Sequence, residues 1–225
     1  MHRRSSRRRT ALILSAAALA AAPLLTACGN DAHPGAAAVV GGDRITVSQL
    51  ESRVNEVRAA QRKAIPDSRQ YAQAISKSGG LTRATLHSMV LDRVLHRAAS
   101  DARVHVSRRE VQEARAGLVQ QAGGEKALQQ GYLQQFNVAP ARIDDNLRTE
   151  IEANKLAKKL GLDMNSPQGQ AEFWKNLTAA SKKMKVDLNP RYGTWDVNKS
   201  RRVDAKTPWL REVTAGPSAD GQSQV

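Results

Sequence analysis

The residues able to do chemistry in this chain are few and scattered. His87, His96 and His105 recur every nine residues. On a helix nine residues make about two and a half turns, so the three rings leave in different directions. A metal pair on one helix needs i, i+3 or i, i+4 spacing. His33 stands apart upstream, so no metal and no other cofactor is expected. Asp144, Asp145, Glu150 and Glu152 fall on an amphipathic stretch. Two of them could act as general acid and base, but solvated surface carboxylates are the simpler reading. The serines show no histidine at a spacing that marks a nucleophilic pair. Gly41-Gly42 follows an apolar run, yet a phosphate loop would end in Gly-Lys-Ser/Thr. No catalytic residue is expected, and hence no enzyme. One thiol remains, Cys28, which is the single cysteine of the chain. It excludes an intrachain disulfide.

The surroundings of that thiol give it a role. Residues 2–9, HRRSSRRR, are strongly basic, and Ala11–Ala22 form an apolar run. The run is too short for a comfortable membrane span before Pro23. Leu25-Thr26-Ala27-Cys28 then resembles the box of bacterial lipoproteins: an aliphatic residue, two small residues, cysteine. The small residues fit a peptidase that cuts ahead of cysteine, and the thiol forms a thioether to diacylglycerol. The competing reading is an ordinary signal peptide with a chance cysteine. The expectation is a leader over 1–27, lipidation at Cys28, and anchoring at the extracytoplasmic face of the cell membrane. Acyl chains such as palmitate contribute about 0.8 kcal/mol per buried methylene, so several chains hold stably. Ser6-Arg7-Arg8-Arg9 faintly resembles a twin-arginine signal, but Thr10 and Ala11 stand where bulky apolar residues belong. General secretion and twin-arginine export both stay open.

The chain has 225 residues, enough for one core, with 40% hydrophobic and only 4% aromatic residues. Ala, Val and Leu dominate, which favours helices packed through aliphatic stripes. Net charge is +14; without residues 1–27 there remain 30 basic and 21 acidic residues, a balance of +9. This charge is spread over many segments and reads as a solvated surface, with attraction to acidic clients or anionic envelope surfaces as the sharper alternative. An exported protein has no use for it on nucleic acid.

Elements follow from spacing. Residues 28–37 read as lipidated cysteine and flexible tether, residues 38–198 as the folded domain, and residues 199–225 as a polar, partly disordered tail. Val39-Val40-Gly41-Gly42-Asp43-Arg44-Ile45-Thr46 reads as a hairpin. Ser48 with Glu51 is a capping box for the helix that follows. Thr82 caps a long central helix with apolar Leu86, Met89, Val90, Val94 and Leu95 on one side. Ser107 with Glu110 caps the next, Pro140 suits a first turn, and Ser166-Pro167 starts the last. Glu152 is placed to pair locally with Lys155 or Lys159. Phe173, Trp174, Tyr192 and Trp195 gather most of the aromatic residues near one end of the domain. They read either as core or as the lining of a groove for extended segments.

Three of these junctions resemble one family. Val39–Leu50, with Ile45-Thr46 leading to Leu50, is similar to the entry of the N-terminal chaperone domain of SurA-type foldases. Val104-His105-Val106-Ser107-Arg108-Arg109-Glu110-Val111 resembles the junction between two of its helices. Val186–Asp196, with Asn189-Pro190-Arg191-Tyr192-Gly193-Thr194-Trp195, resembles the ending found in SurA-N-like lipoproteins of high-GC Gram-positive bacteria. The resemblance covers Val39–Asp196. It implies a mainly α fold, a multi-helix SurA-N-like domain with orthogonally packed helices. A small β element would come from the N-terminal hairpin, completed by a strand from 186–196. Related foldases insert a parvulin prolyl-isomerase domain of about ninety residues after these helices, a typical small-domain size. Here only Asp163–Pro167 separate two helices, so prolyl isomerisation is not carried over. The implied activity is non-catalytic holding of unfolded or exported polypeptides, with Phe173, Trp174, Tyr192 and Trp195 as candidate client or partner contacts. The rival is an adaptor or structural lipoprotein with one specific envelope partner. An enzyme acting on cell-wall polymers stands third.

Overall fold

The computed structural model describes residues 34–76 and 79–204. The leader, His33, Cys28 and the Trp209-Leu210 pair lie outside the described residues. The domain opens with strands β1 (Ala36–Val40) and β2 (Asp43–Thr46), paired antiparallel with Val40 opposite Asp43. Gly41 and Gly42 form the two-residue turn, both at positive φ, as a hairpin of right-handed twist requires. Among the described residues seven helices follow: α1 (Val47–Ala64), α2 (Ser68–Ser76), α3 (Leu81–Asp101), α4 (Arg108–Ala122), α5 (Glu125–Phe136), α6 (Ile143–Lys159) and α7 (Pro167–Met184). A 3-10 turn at Pro140–Arg142 leads into α6, using the proline where no amide is needed. Strand β3 (Asp187–Leu188) then pairs with β1, giving the order β2-β1-β3. Strands β4 (Thr194–Asp196) and β5 (Arg201–Val203) make a second, two-stranded sheet. The architecture is mainly α with a small β element, and the segment 186–196 does supply the third strand.

Helix α3 is the hub. Leu86, Val90 and Val94 are fully buried against a core shared with β1, α6 and α7. Arg93 fixes α3 to the hairpin by donating to the carbonyls of Asp43 and Arg44, both at 2.9 Å. Two smaller cores flank the main one. Val111, Leu128, Tyr132, Ile143 and Leu147 join α4, α5 and α6. Val57, Leu81, Leu133 and Ala139 join α1, α3 and α5.

Several boundaries differ from the sequence reading. Strand β1 begins at Ala36, inside the stretch read as tether, because Ala36 and Ala37 are fully buried. Their carbonyls accept from the side chain and backbone amide of Asn189. An irregular register at Ala37 lets three successive small residues turn inward. At the other end β5 carries ordered chain to Val203, past the expected limit of 198, and buried Ser200 donates to Thr178. Helix α1 is capped by Thr46 and Gln49, two residues ahead of Ser48 and Glu51, because β2 ends there. Thr82 lies within α3, whose cap residue is Gly80. The Ser107–Glu110 capping box and the Ser166 cap form as expected.

Candidate functional site

Helices α1, α3, α6 and α7 do not meet along one line, and the gap between them is a groove of about 780 Å³. Its floor is one face of α3, running from Leu81 through Thr85, Ser88 and Met89 to Asp92 and Leu95. These recur at i, i+3, i+4 and i+7, the same period that puts Leu86, Val90 and Val94 on the opposite, core-facing side. Helix α3 therefore has two working faces. Phe136 at the end of α5 and Trp174 on α7 are rim residues, 61% and 48% exposed. Tyr132 sets the Phe136 ring by an edge contact at 5.6 Å between centroids. Asn137, at φ +54°, ends α5 there and turns the chain along the groove wall.

The other wall is charged and pinned. Arg142 donates two bonds to Glu56 of α1, at 2.6 and 2.7 Å, and a third to Asp145 of α6 at 3.1 Å. Arg53 reaches Asp145 at 3.6 Å. The guanidinium of Arg142 holds the Glu56 carboxyl below its ordinary range, and its own affinity for the proton is raised in turn. Asp92 differs. It accepts no hydrogen bond from any described residue and opens into the groove. Its side chain is exposed to solvent at the groove, yet the protein crowded around it pushes its carboxyl up to about 6; Arg53 pulls the other way, and Asp145 and Glu152 add to the rise.

The remaining candidate residues separate. Of the four aromatic candidates, Trp174 alone reaches the groove. Phe173 and Tyr192 are buried in the main core, and half-buried Trp195 packs against it. The indole of Trp195 donates to Ser181 at 2.8 Å and lies 5.7 Å from the His87 ring. Burial, and then Arg202, hold His87 below the usual imidazole range. Glu152 is not a solvated carboxylate: it is 7% exposed and meets His96 across α3 and α6 at 2.9 Å. Lys155, expected beside it, instead binds Glu110 and the His105 carbonyl. That lysine, with the Ser107 amide and hydroxyl, draws the Glu110 carboxyl down to about 2. No three His, Cys, Asp or Glu among the described residues converge on a metal-sized site.

Phe136 and Asp92 were missed by sequence reasoning. Phe136 completes a stripe with Leu128, Tyr132 and Leu133, which reads as core. Asp92 reads as an ordinary polar residue of an amphipathic helix. Only the distance between neighbouring helices brings either to the groove.

No curated protein matches the chain, and no solved structure does. The model of the SurA-like N-terminal domain matches residues 3–157, well over half of the sequence, ending within α6. Helix α7 and β3 lie beyond that match, yet they complete the core and the groove. The helical architecture and the family model agree, and the chain belongs to the family of SurA-like N-terminal domains.

Proposed function

We propose that this protein is a lipid-anchored, extracytoplasmic chaperone that holds apolar segments of unfolded or exported polypeptides in the α1–α3–α6–α7 groove without catalysis. The observation that carries this reading is the groove itself. Its floor sets apolar Leu81, Met89 and Leu95 among Thr85, Ser88 and Asp92, and it has two exposed aromatic side chains on its rim and room for several side chains. Family membership supports binding of polypeptide in general. Cys28 is the lipid attachment site, and the prolyl-isomerase step of parvulin-bearing relatives plays no part. The short link of residues 160–166 between α6 and α7 supports this reading. A second reading, an adaptor for one envelope partner, draws on the rigidity that the Arg142 ion pairs give one wall.

The test is suppression of aggregation of a chemically denatured model protein. Suppression near stoichiometric amounts, surviving moderate salt and weakened several-fold by Trp174→Ala or Phe136→Ala, is the expected result. Each rim ring loses contact area that anchors such interfaces. Suppression that vanishes with salt would assign the effect to net charge alone, and no suppression would leave the adaptor. Fatty-acid labelling that is lost in Cys28→Ser checks the anchor.

A further inference from the structure

Of the three large apolar side chains that the described residues leave exposed, Phe136 and Trp174 stand on the rim of the groove, and only Leu160 lies elsewhere. We propose that the groove has a resident occupant, the Trp209-Leu210 segment of the chain's own C-terminal tail, which a client must displace. The displacement rests on the groove being the client site.

The described residues end close to the mouth of the groove. Strand β5 stops at Val203. The Asp204 carboxylate accepts from Arg202 at 2.7 Å and lies 3.9 Å from the guanidinium of Arg83, at the start of α3. Gly80, Leu81 and Ala84, at that same start, line one end of the groove. Arg83 and Ala84 leave their helix about 100° apart, so the way from Asp204 to the groove rounds at most one helix, about 10–12 Å across. Residues 205–208 span up to about 14 Å when extended, and the next two residues are Trp209 and Leu210. These are the two largest apolar side chains of residues 205–225, and they stand among Lys206, Thr207, Arg211 and Glu212. Tryptophan is a favoured anchor at interfaces. Trp174, Phe136, Met89 and Leu177 offer it aromatic and aliphatic contacts in the groove. A short tether sets an effective concentration on the order of millimolar, so a contact too weak to hold a separate peptide is still filled. With the tail seated for about nine-tenths of the time, the apparent affinity for a client falls about tenfold.

The experiment uses the full chain in detergent and has two arms. In the first, a tryptophan-free peptide of Phe, Leu, Ala and Gln is titrated by calorimetry. Trp209→Ala with Leu210→Ala should tighten its binding about tenfold. In the second, Leu210→Cys is combined with Ser88→Cys, an exposed position inside the groove, or with Ser76→Cys, an exposed position outside it just ahead of α3. Leu210→Cys by itself controls for Cys28. Under mild oxidation the Ser88 pair should form a disulfide within one chain, several-fold faster than the Ser76 pair, and added peptide should slow it. Unchanged or weaker peptide binding in the double-alanine protein, or equal rates for the two cysteine pairs, overturns the inference and leaves the groove as client site. A Ser88 disulfide that joins two chains overturns it in favour of a second copy. A disulfide within one chain at Ser88, with no peptide binding to either protein, upholds the tail as occupant and overturns the client reading instead.

Discussion

Asp92→Asn should make the protein more stable, and more so at the pH where Asp92 is charged. The carboxyl rises from 3.8 to about 6 in the fold, with burial as the largest cause. A raised acid is one whose ionisation costs the folded state. Its neutral form contributes stability that is fully present below about 3.8 and is lost as pH rises through about 6. At about pH 8 the ionised fold carries the whole cost. Two pKa steps correspond to a ceiling of about 3 kcal/mol. The side chain opens to water along the groove, so screening brings the figure to about 1 kcal/mol. For a domain of this size that moves Tm by about 2–4 °C. Melts of both proteins by far-UV circular dichroism, at about pH 8 and about pH 4.5, measure it. The asparagine protein should melt higher at the upper pH, with less of that gain left at the lower one. Because burial outweighs the neighbouring charges, the gain should persist at high salt. An equal gain at both pH values, or a loss at pH 8, would refute the reasoning.

Two further variants probe the frame of the groove. Arg142→Ala removes the paired bonds to Glu56 and the bond to Asp145. Part-exposed charge-assisted bonds of this kind put the loss at about 1–2 kcal/mol by urea unfolding at neutral pH. Glu56 is depressed below its ordinary 4.5, so this contribution is present above that value and is lost as the carboxyl protonates. The difference from the unaltered protein should therefore shrink as pH falls below about 4.5. Leu86→Ala empties a fully buried site on the core face of α3 and should cost about 2–5 kcal/mol, read from the same urea midpoints.

The elements most legible in the sequence were those decided by neighbours along the chain. Ser107 and Glu110 cap one another whatever packs around them, so the start of α4 could be read directly. The start of α1 could not. Thr46 and Gln49 have the same capping geometry available as Ser48 and Glu51, and the choice is made by where β2 stops pairing with β1. Long-range packing decided the rest. Glu152 looks solvated on its own helix and is buried once α3 crosses α6. The groove is a property of helix spacing, which leaves no periodic mark. Phe136 and Leu133 share one stripe, yet Leu133 enters a core and Phe136 reaches the rim.

Strand β1 lies between β2 and β3, and its two partners reach it at very different times. The hairpin with β2 closes locally. The contact on the other side joins Ala36 to Asn189, 153 residues further along. Closing so long a loop is entropically costly and slow compared with forming helices. While the chain is being made, the hairpin therefore waits with one edge of β1 unpaired, the kind of edge that invites foreign strands. The helices can assemble early, but the sheet is completed only when Asp187 and Leu188 arrive. Maturation of this protein is thus a race between its own distant strand and any other strand that meets that edge first.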